Sequence, residues 1–180
     1  MTRAGLSAAV ASLVLLIAAC GGDEEIPEIE AENSLAVEGP FEDGDSIPEK
    51  FTCDGEDVSP PLSWEPFEGA EEYTLVVSDP DAPGGRFVHW VVFGLSTERT
   101  ELEEDAPVPE ENRGTTSFDT DEYRGPCPPE GDDPHRYEFT VHALAGAPGD
   151  TEPGVGAAEL LDAIGDSVIA TGTLTGTYGR

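Results

Sequence analysis

The stretch Ser78-Asp79-Pro80-Asp81-Ala82-Pro83-Gly84-Gly85-Arg86-Phe87-Val88-His89-Trp90 constrains the fold more than any other part of the chain. Tyr73-Thr74-Leu75-Val76-Val77 runs into it and Trp90-Val91-Val92-Phe93 runs out of it. Both runs are short and rich in β-branched and aromatic side chains, as buried strands are. Between them, two prolines hold φ near −65° and two glycines permit unusual backbone angles. The chain must leave a core strand, make a stiff acidic turn and return with a histidine at the mouth of the next strand. Two carboxylates and an imidazole at strand ends are the makings of a site.

A distant stretch repeats this layout. Tyr123-Arg124-Gly125-Pro126-Cys127-Pro128-Pro129-Glu130-Gly131 is a rigid turn, and His135-Arg136-Tyr137-Glu138-Phe139 places a histidine before another strand. Six motifs occur in order: Phe51-Thr52-Cys53-Asp54-Gly55 with Ser59-Pro60-Pro61-Leu62-Ser63-Trp64; Asp79-Pro80-Asp81-Ala82-Pro83; His89-Trp90; Gly125-Pro126-Cys127-Pro128-Pro129; His135-Arg136-Tyr137; and the ending Gly176-Thr177-Tyr178-Gly179-Arg180. Together they resemble the phosphatidylethanolamine-binding protein family, in its bacterial Raf-kinase-inhibitor-like branch. The resemblance covers residues 35 to 180. It implies a mainly β fold, a Greek-key antiparallel two-sheet sandwich with one or two short helices. It also implies that Asp79, Asp81, His89, the turn at Cys127-Pro128, His135 and Tyr137 form a phosphate-headgroup pocket. The chain departs from the family in having Phe87-Val88 where a larger aromatic is frequent, and Gly94 where an asparagine is. Cys127 stands where eukaryotic members have glycine.

Residues 5 to 19 are small and apolar behind Arg3. That run is too short for the roughly 20 residues of a membrane-spanning helix and suits a signal peptide over 1–19. Its end, Leu16-Ile17-Ala18-Ala19-Cys20-Gly21-Gly22, resembles a lipobox. This implies cleavage before Cys20 and lipid on its sulfur and new amino terminus; ordinary secretion is the alternative. The expected location is the cell membrane, lipid-anchored, outside the cytoplasm. Residues 20–34 are acidic, carry Pro27 and show no apolar periodicity, so a solvated tether is expected, with the domain spanning 35–180.

The chain has 39 Asp and Glu against 8 Lys and Arg, a net charge of −31. Such a field argues against nucleic acid as a partner and against attraction to anionic lipid headgroups. With Cys20 lipidated, Cys53 and Cys127 are an even pair in a compartment where disulfides persist. A disulfide and two buried thiols are the two readings.

Strands are expected over 73–78, 89–95, 137–143 and 169–178, and an early edge strand and turn within 41–51. A long polar loop is expected from Ser96 to Tyr123. Leu160, Leu161, Ile164 and Val168 recur at helical spacing, with Gly165 as a stop. His142 alternates with Glu138 and Thr140, which reads as a surface position.

Two imidazoles facing one cavity suit a phosphate or carboxylate, because a protonated imidazole donates two hydrogen bonds. An aspartate on the far nitrogen of a histidine would orient it and favour its charged form. In the proline-rich turn, only Gly125 and Cys127 retain an amide hydrogen, so the Cys127 N–H is the expected main-chain donor, with Tyr137 O–H a further one. The expected function is a non-enzymatic binding module for a small anionic or phosphorylated ligand, with no cofactor. The alternative is a protease inhibitor or protein-interaction module acting through loop 96–122, its target unknown. An enzyme or metal protein is disfavoured: the histidines lack helical metal-ligand spacing and no nucleophile-elbow serine is present.

Overall fold

The computed structural model describes residues 26–146 and 151–180. The expected signal peptide and Cys20 lie outside the described residues. Among the described residues, eight strands and one α-helix follow in order: β1 (Asn33–Ser34), β2 (Val37–Glu38), β3 (Leu62–Trp64), β4 (Glu72–Asp79), β5 (Phe87–Ser96), β6 (Glu101–Leu102), β7 (His135–Leu144), α1 (Ala157–Ile164) and β8 (Val168–Tyr178). They form a five-stranded sheet, β1-β8-β7-β4-β5, and a three-stranded one, β2-β3-β6. The pairings between these strands are antiparallel except β1 with β8. The fold is mainly β with two sheets.

The large sheet is apolar on both faces, which explains its near-continuous hydrophobic strands. Toward the small sheet, Leu75, Val77, Val92, Phe139, Val141 and Leu174 pack on Leu62, Trp64 and Leu102. On the other face, Val76, Val91, Phe93 and Leu144 pack on Leu160, Leu161 and Ile164 of α1. The helix stops at Gly165, where the chain passes through a 3-10 turn, Gly165–Ser167, into β8. Val168, expected on the helix, is therefore the first residue of that strand.

Four expectations need correction. Residues 41–51 form no strand; Ser46 makes an isolated bridge to Thr177 and Glu49–Phe51 is a 3-10 turn. The segment 96–122 is not a free loop, because it contributes β6 and buries Leu102 and Val108 in the core. The part of the tether from residue 26 onward is not free in solvent but tied to the sheet, though its acidic side chains stay exposed. Ile26 and Ile29 pack on the outer-face core, Glu28 pairs with Arg86, and β1 adds to the sheet edge. This strap creates the fourth difference: His142 is 3% exposed, not a surface residue. Its ring lies in a cavity of about 320 Å³ bounded by the strap, Arg86, Leu161 and Thr171. Strict alternation predicts a wet face only when nothing covers it.

Candidate functional site

The β4–β5 connection delivers two of the expected residues, and a defect in the pairing delivers a third. Val77 pairs with Trp90 but Ser78 pairs with Val88, so His89 is an extra residue on β5. Such a bulge bends a strand and re-aims a side chain. The ring of His89 packs edge-to-face on Tyr137 with centroids 5.3 Å apart. His135 starts β7, and β7 lies beside β4, so His135 meets Asp79 across the sheet end.

Asp79 and His135 are both buried, and His135 Nδ1–H donates to Asp79 Oδ2 at 2.8 Å. The other carboxylate oxygen accepts the Asp81 N–H at 2.8 Å. This bond assigns the proton of a neutral His135 to Nδ1 and leaves Nε2 a lone pair. His89 has the same tautomer for another reason: its Nδ1–H donates to the Arg124 carbonyl at 2.7 Å. Burial lowers the His89 pKa, against the opposing pull of the Arg124 carbonyl and the Asp79 charge. The expectation that an aspartate keeps a site histidine charged thus fails for His89: it has a carbonyl partner, and desolvation wins.

Asp81 is not a histidine partner. Both its oxygens are used by Arg136, from N–H at 2.9 Å, Nε at 2.8 Å and Nη2 at 2.7 Å. The guanidinium holds the Asp81 pKa down to about 2. Its role is to fix the 80–86 turn against the start of β7.

The proline turn is stitched to residues 51–57. Gly125 N–H donates to Asp57 Oδ1 at 2.7 Å, Cys53 N–H to the Pro126 carbonyl at 3.1 Å, and Tyr123 O–H to the Phe51 carbonyl at 2.9 Å. A Cβ on Gly125 would lie 2.4 Å from the Phe51 carbonyl oxygen, so only glycine fits there. A disulfide joins Cys53 and Cys127, while Pro128 is buried. With the Gly125 amide spent on Asp57, the Cys127 amide is the turn's remaining donor, and both it and the Asp79 carboxylate lie near the Tyr137 oxygen without closing a hydrogen bond of good geometry. That hydroxyl is buried without a hydrogen-bond partner. Burial raises the Tyr137 pKa, with the Asp79 charge adding to the rise.

Thus Asp79, His89, His135, Tyr137 and the Cys127-Pro128 turn come together at one end of the large sheet, and Asp81 braces them. Sequence reasoning missed Asp57, Arg124, Arg136 and Phe118. Asp57 has a positive φ of 56° and Arg124 acts through its carbonyl, and neither leaves a periodic signal. Phe118 packs on His89 with centroids 5.3 Å apart. Its aromatic character between polar neighbours was the available clue. Among the described residues, no group of three or more His, Cys, Asp or Glu is placed to hold a metal ion.

Residues 37–179 match the family described as phosphatidylethanolamine-binding protein. A UPF0098 protein of Aquifex aeolicus is 39% identical over 145 residues, covering 78% of this chain and 85% of that one. LppC of Mycobacterium tuberculosis, whose name marks it as a candidate lipoprotein, is 32% identical over 98% of this chain and 96% of its own. A solved structure of CT736 from Chlamydia trachomatis, described as a phosphatidylethanolamine-binding protein homolog, superposes with a TM-score of 0.75 at 36% identity. It covers 82% of this chain and 99% of that one.

Proposed function

From the premise that this chain belongs to the phosphatidylethanolamine-binding protein family, we propose that it is a non-enzymatic binding module for a small phosphate-like anion, carried on the cell envelope by lipid on Cys20. The observation that supports the pocket is the orphaned Tyr137 hydroxyl. A buried hydroxyl without a partner costs roughly 1–3 kcal/mol. Here it sits against His89, under the influence of the Cys127 amide and Asp79. A ligand oxygen at this point would accept from Tyr137 O–H and, from protonated histidines, at Nε2.

The tautomers set the pH dependence. Both histidines spend their Nδ1–H on protein partners. Each Nε2 donates to an anion only after taking up a proton, or accepts from an acidic ligand hydroxyl. Binding of an anion of fixed charge therefore takes up protons, and affinity rises as pH falls through the histidine range. Calorimetric titration with methanesulfonate should give several-fold tighter binding at pH 5.5 than at pH 8. Equal affinity at both, with His89→Ala and His135→Ala behaving as wild type, would make the histidines purely structural. The anchor is tested separately: Cys20→Ser should release the protein from membranes, and unchanged retention would remove that part of the proposal.

A further inference from the structure

Phe118 is 38% exposed, the one large hydrophobic side chain so exposed among the described residues. A single exposed phenylalanine is ordinary; its placement is not. The ring packs edge-to-face on Phe87 with centroids 4.8 Å apart, and on His89 at 5.3 Å. Phe87 in turn packs on His89 at 5.5 Å. The His89 imidazole thus touches Phe87, Phe118 and Tyr137, an aromatic surround on a residue whose Nδ1–H is already spent on the Arg124 carbonyl.

The backbone that carries Phe118 is held in place by β5. Ser117 N–H donates to the Val88 carbonyl at 3.0 Å, and Val88 N–H donates back to Ser117 Oγ at 2.9 Å. Beyond it the chain turns tightly: Thr116 N–H donates to the Thr120 carbonyl at 2.7 Å, and Asp119 has φ of 58°. Phe118 N–H is near Thr116 Oγ1 at 3.3 Å. One backbone and one side-chain hydrogen bond to the residue before His89, with a closed turn, fix where this ring sits relative to the imidazole. Around His135 the surroundings differ: Asp79, Asp81 and Arg136 form a charged, hydrogen-bonded wall. One side of the site is therefore polar and already satisfied, and the other is apolar and half open.

We infer that Phe118, together with Phe87, is the specificity wall of the anion site, and that the ligand is an organic phosphate bearing an apolar, flat substituent next to the phosphate. This rests on the anion-pocket reading above. The phosphate oxygens engage Tyr137 and the histidines, and the substituent leaves along His89 over the two phenyl rings. Bare phosphate leaves that surface uncovered, and a polyhydroxylated substituent gains nothing from the two phenyl rings.

The test compares three probes on the full-length protein at pH 6: phenyl phosphate, glycerol phosphate and inorganic phosphate. Phenyl phosphate should bind about 3- to 10-fold more tightly than the other two, the worth of one well-placed aromatic contact. Phe118→Ala should remove the preference for phenyl phosphate over glycerol phosphate, and Phe118→Leu should fall between. Since Phe118 is on the surface, an unchanged melting temperature for these variants separates the effect from misfolding. Phenyl phosphate binding no better than glycerol phosphate, or a preference that survives Phe118→Ala, overturns this inference alone. If none of the three binds, the anion-pocket reading falls and takes this one with it.

Discussion

Asp79 and His135 lie 56 residues apart in the chain, on two strands of one sheet, and meet at 2.8 Å with both side chains almost wholly buried. Asp79 also accepts the Asp81 amide, so one carboxylate satisfies two donors at the edge of the site. Removing it orphans both. Asp79→Ala should cost about 2–4 kcal/mol, while Asp79→Asn, which keeps one acceptor oxygen, should cost less. Urea unfolding at pH 7 reads this directly. A change of less than about 0.5 kcal/mol in Asp79→Ala, the range of an ordinary surface substitution, would mean that the pair does not stabilise the fold.

His142 predicts an acid sensitivity of a particular shape. Burial pushes its pKa down from 6.5 to about 4; its ring meets Thr171 Oγ1 at 3.2 Å, and Arg86, Glu28 and Glu138 line the same cavity. Below pH 6.5 the unfolded chain takes a proton that the folded chain refuses until about pH 4. Stability is thus fully present above pH 6.5 and is lost as pH falls. The loss between pH 7 and 5 should be about 2 kcal/mol. The lowered pKa of His89 acts in the same direction. In His142→Asn the slope over this range should shrink by that amount. Wild type and variant with parallel slopes would show that the ring is not desolvated.

The same residue marks where the sequence stops being readable. The long strands β4, β5, β7 and β8 were visible in their β-branched runs, and α1 in the spacing of Leu160, Leu161 and Ile164. The strands of the small sheet hold only two or three residues each, too few to show a period, and depend on contacts to Leu75, Val92 and Leu174. The strap was hidden because Glu28 and Glu30 make it look like a free tether, whereas the partly buried Ile26 and Ile29 pin it to the sheet. In the site, residue types at turns pointed to Asp79, His89 and His135, but not to which carboxylate meets which ring. That choice is made by the β4–β7 register, and the position of His89 by a bulge.

The Cys53–Cys127 bond closes a loop with a sequence separation of 74. Chain-entropy arithmetic gives about 4 kcal/mol of stabilisation from cross-linking the unfolded chain. Cys127 is exposed, so a reductant can reach it in the native state. Reduction should lower the urea midpoint without unfolding the protein in buffer, since the Gly125, Cys53 and Tyr123 hydrogen bonds still hold the turn. Anion affinity should weaken modestly as the Cys127 amide loses its fixed position. Quantitative alkylation of both thiols in native, unreduced protein would show that the bond does not form.

Salt should act on anion binding in two opposed ways. The chain carries −31, so an anion approaches against a repulsive field. The arginines near the site do not reverse it, because each has a carboxylate partner: Arg86 with Glu138, Arg124 with Asp57, Arg136 with Asp81 and Arg180 with Asp54. Paired guanidiniums brace the rim but offer little net positive potential at a distance. Adding salt shortens the Debye length from about 30 Å at 0.01 M to about 8 Å at 0.15 M, which screens the global repulsion. The proposed contacts to Tyr137, His89 and His135, which are buried side chains, would be screened much less. Methanesulfonate affinity at pH 5.5 should therefore rise as sodium chloride goes from 0.01 to 0.15 M. Above that it should fall, as chloride competes for the protonated Nε2 groups. A funnel of free positive charge would instead weaken binding steadily from the lowest salt upward. That monotonic curve would place the dominant electrostatics in the arginine rim rather than in the acidic surface.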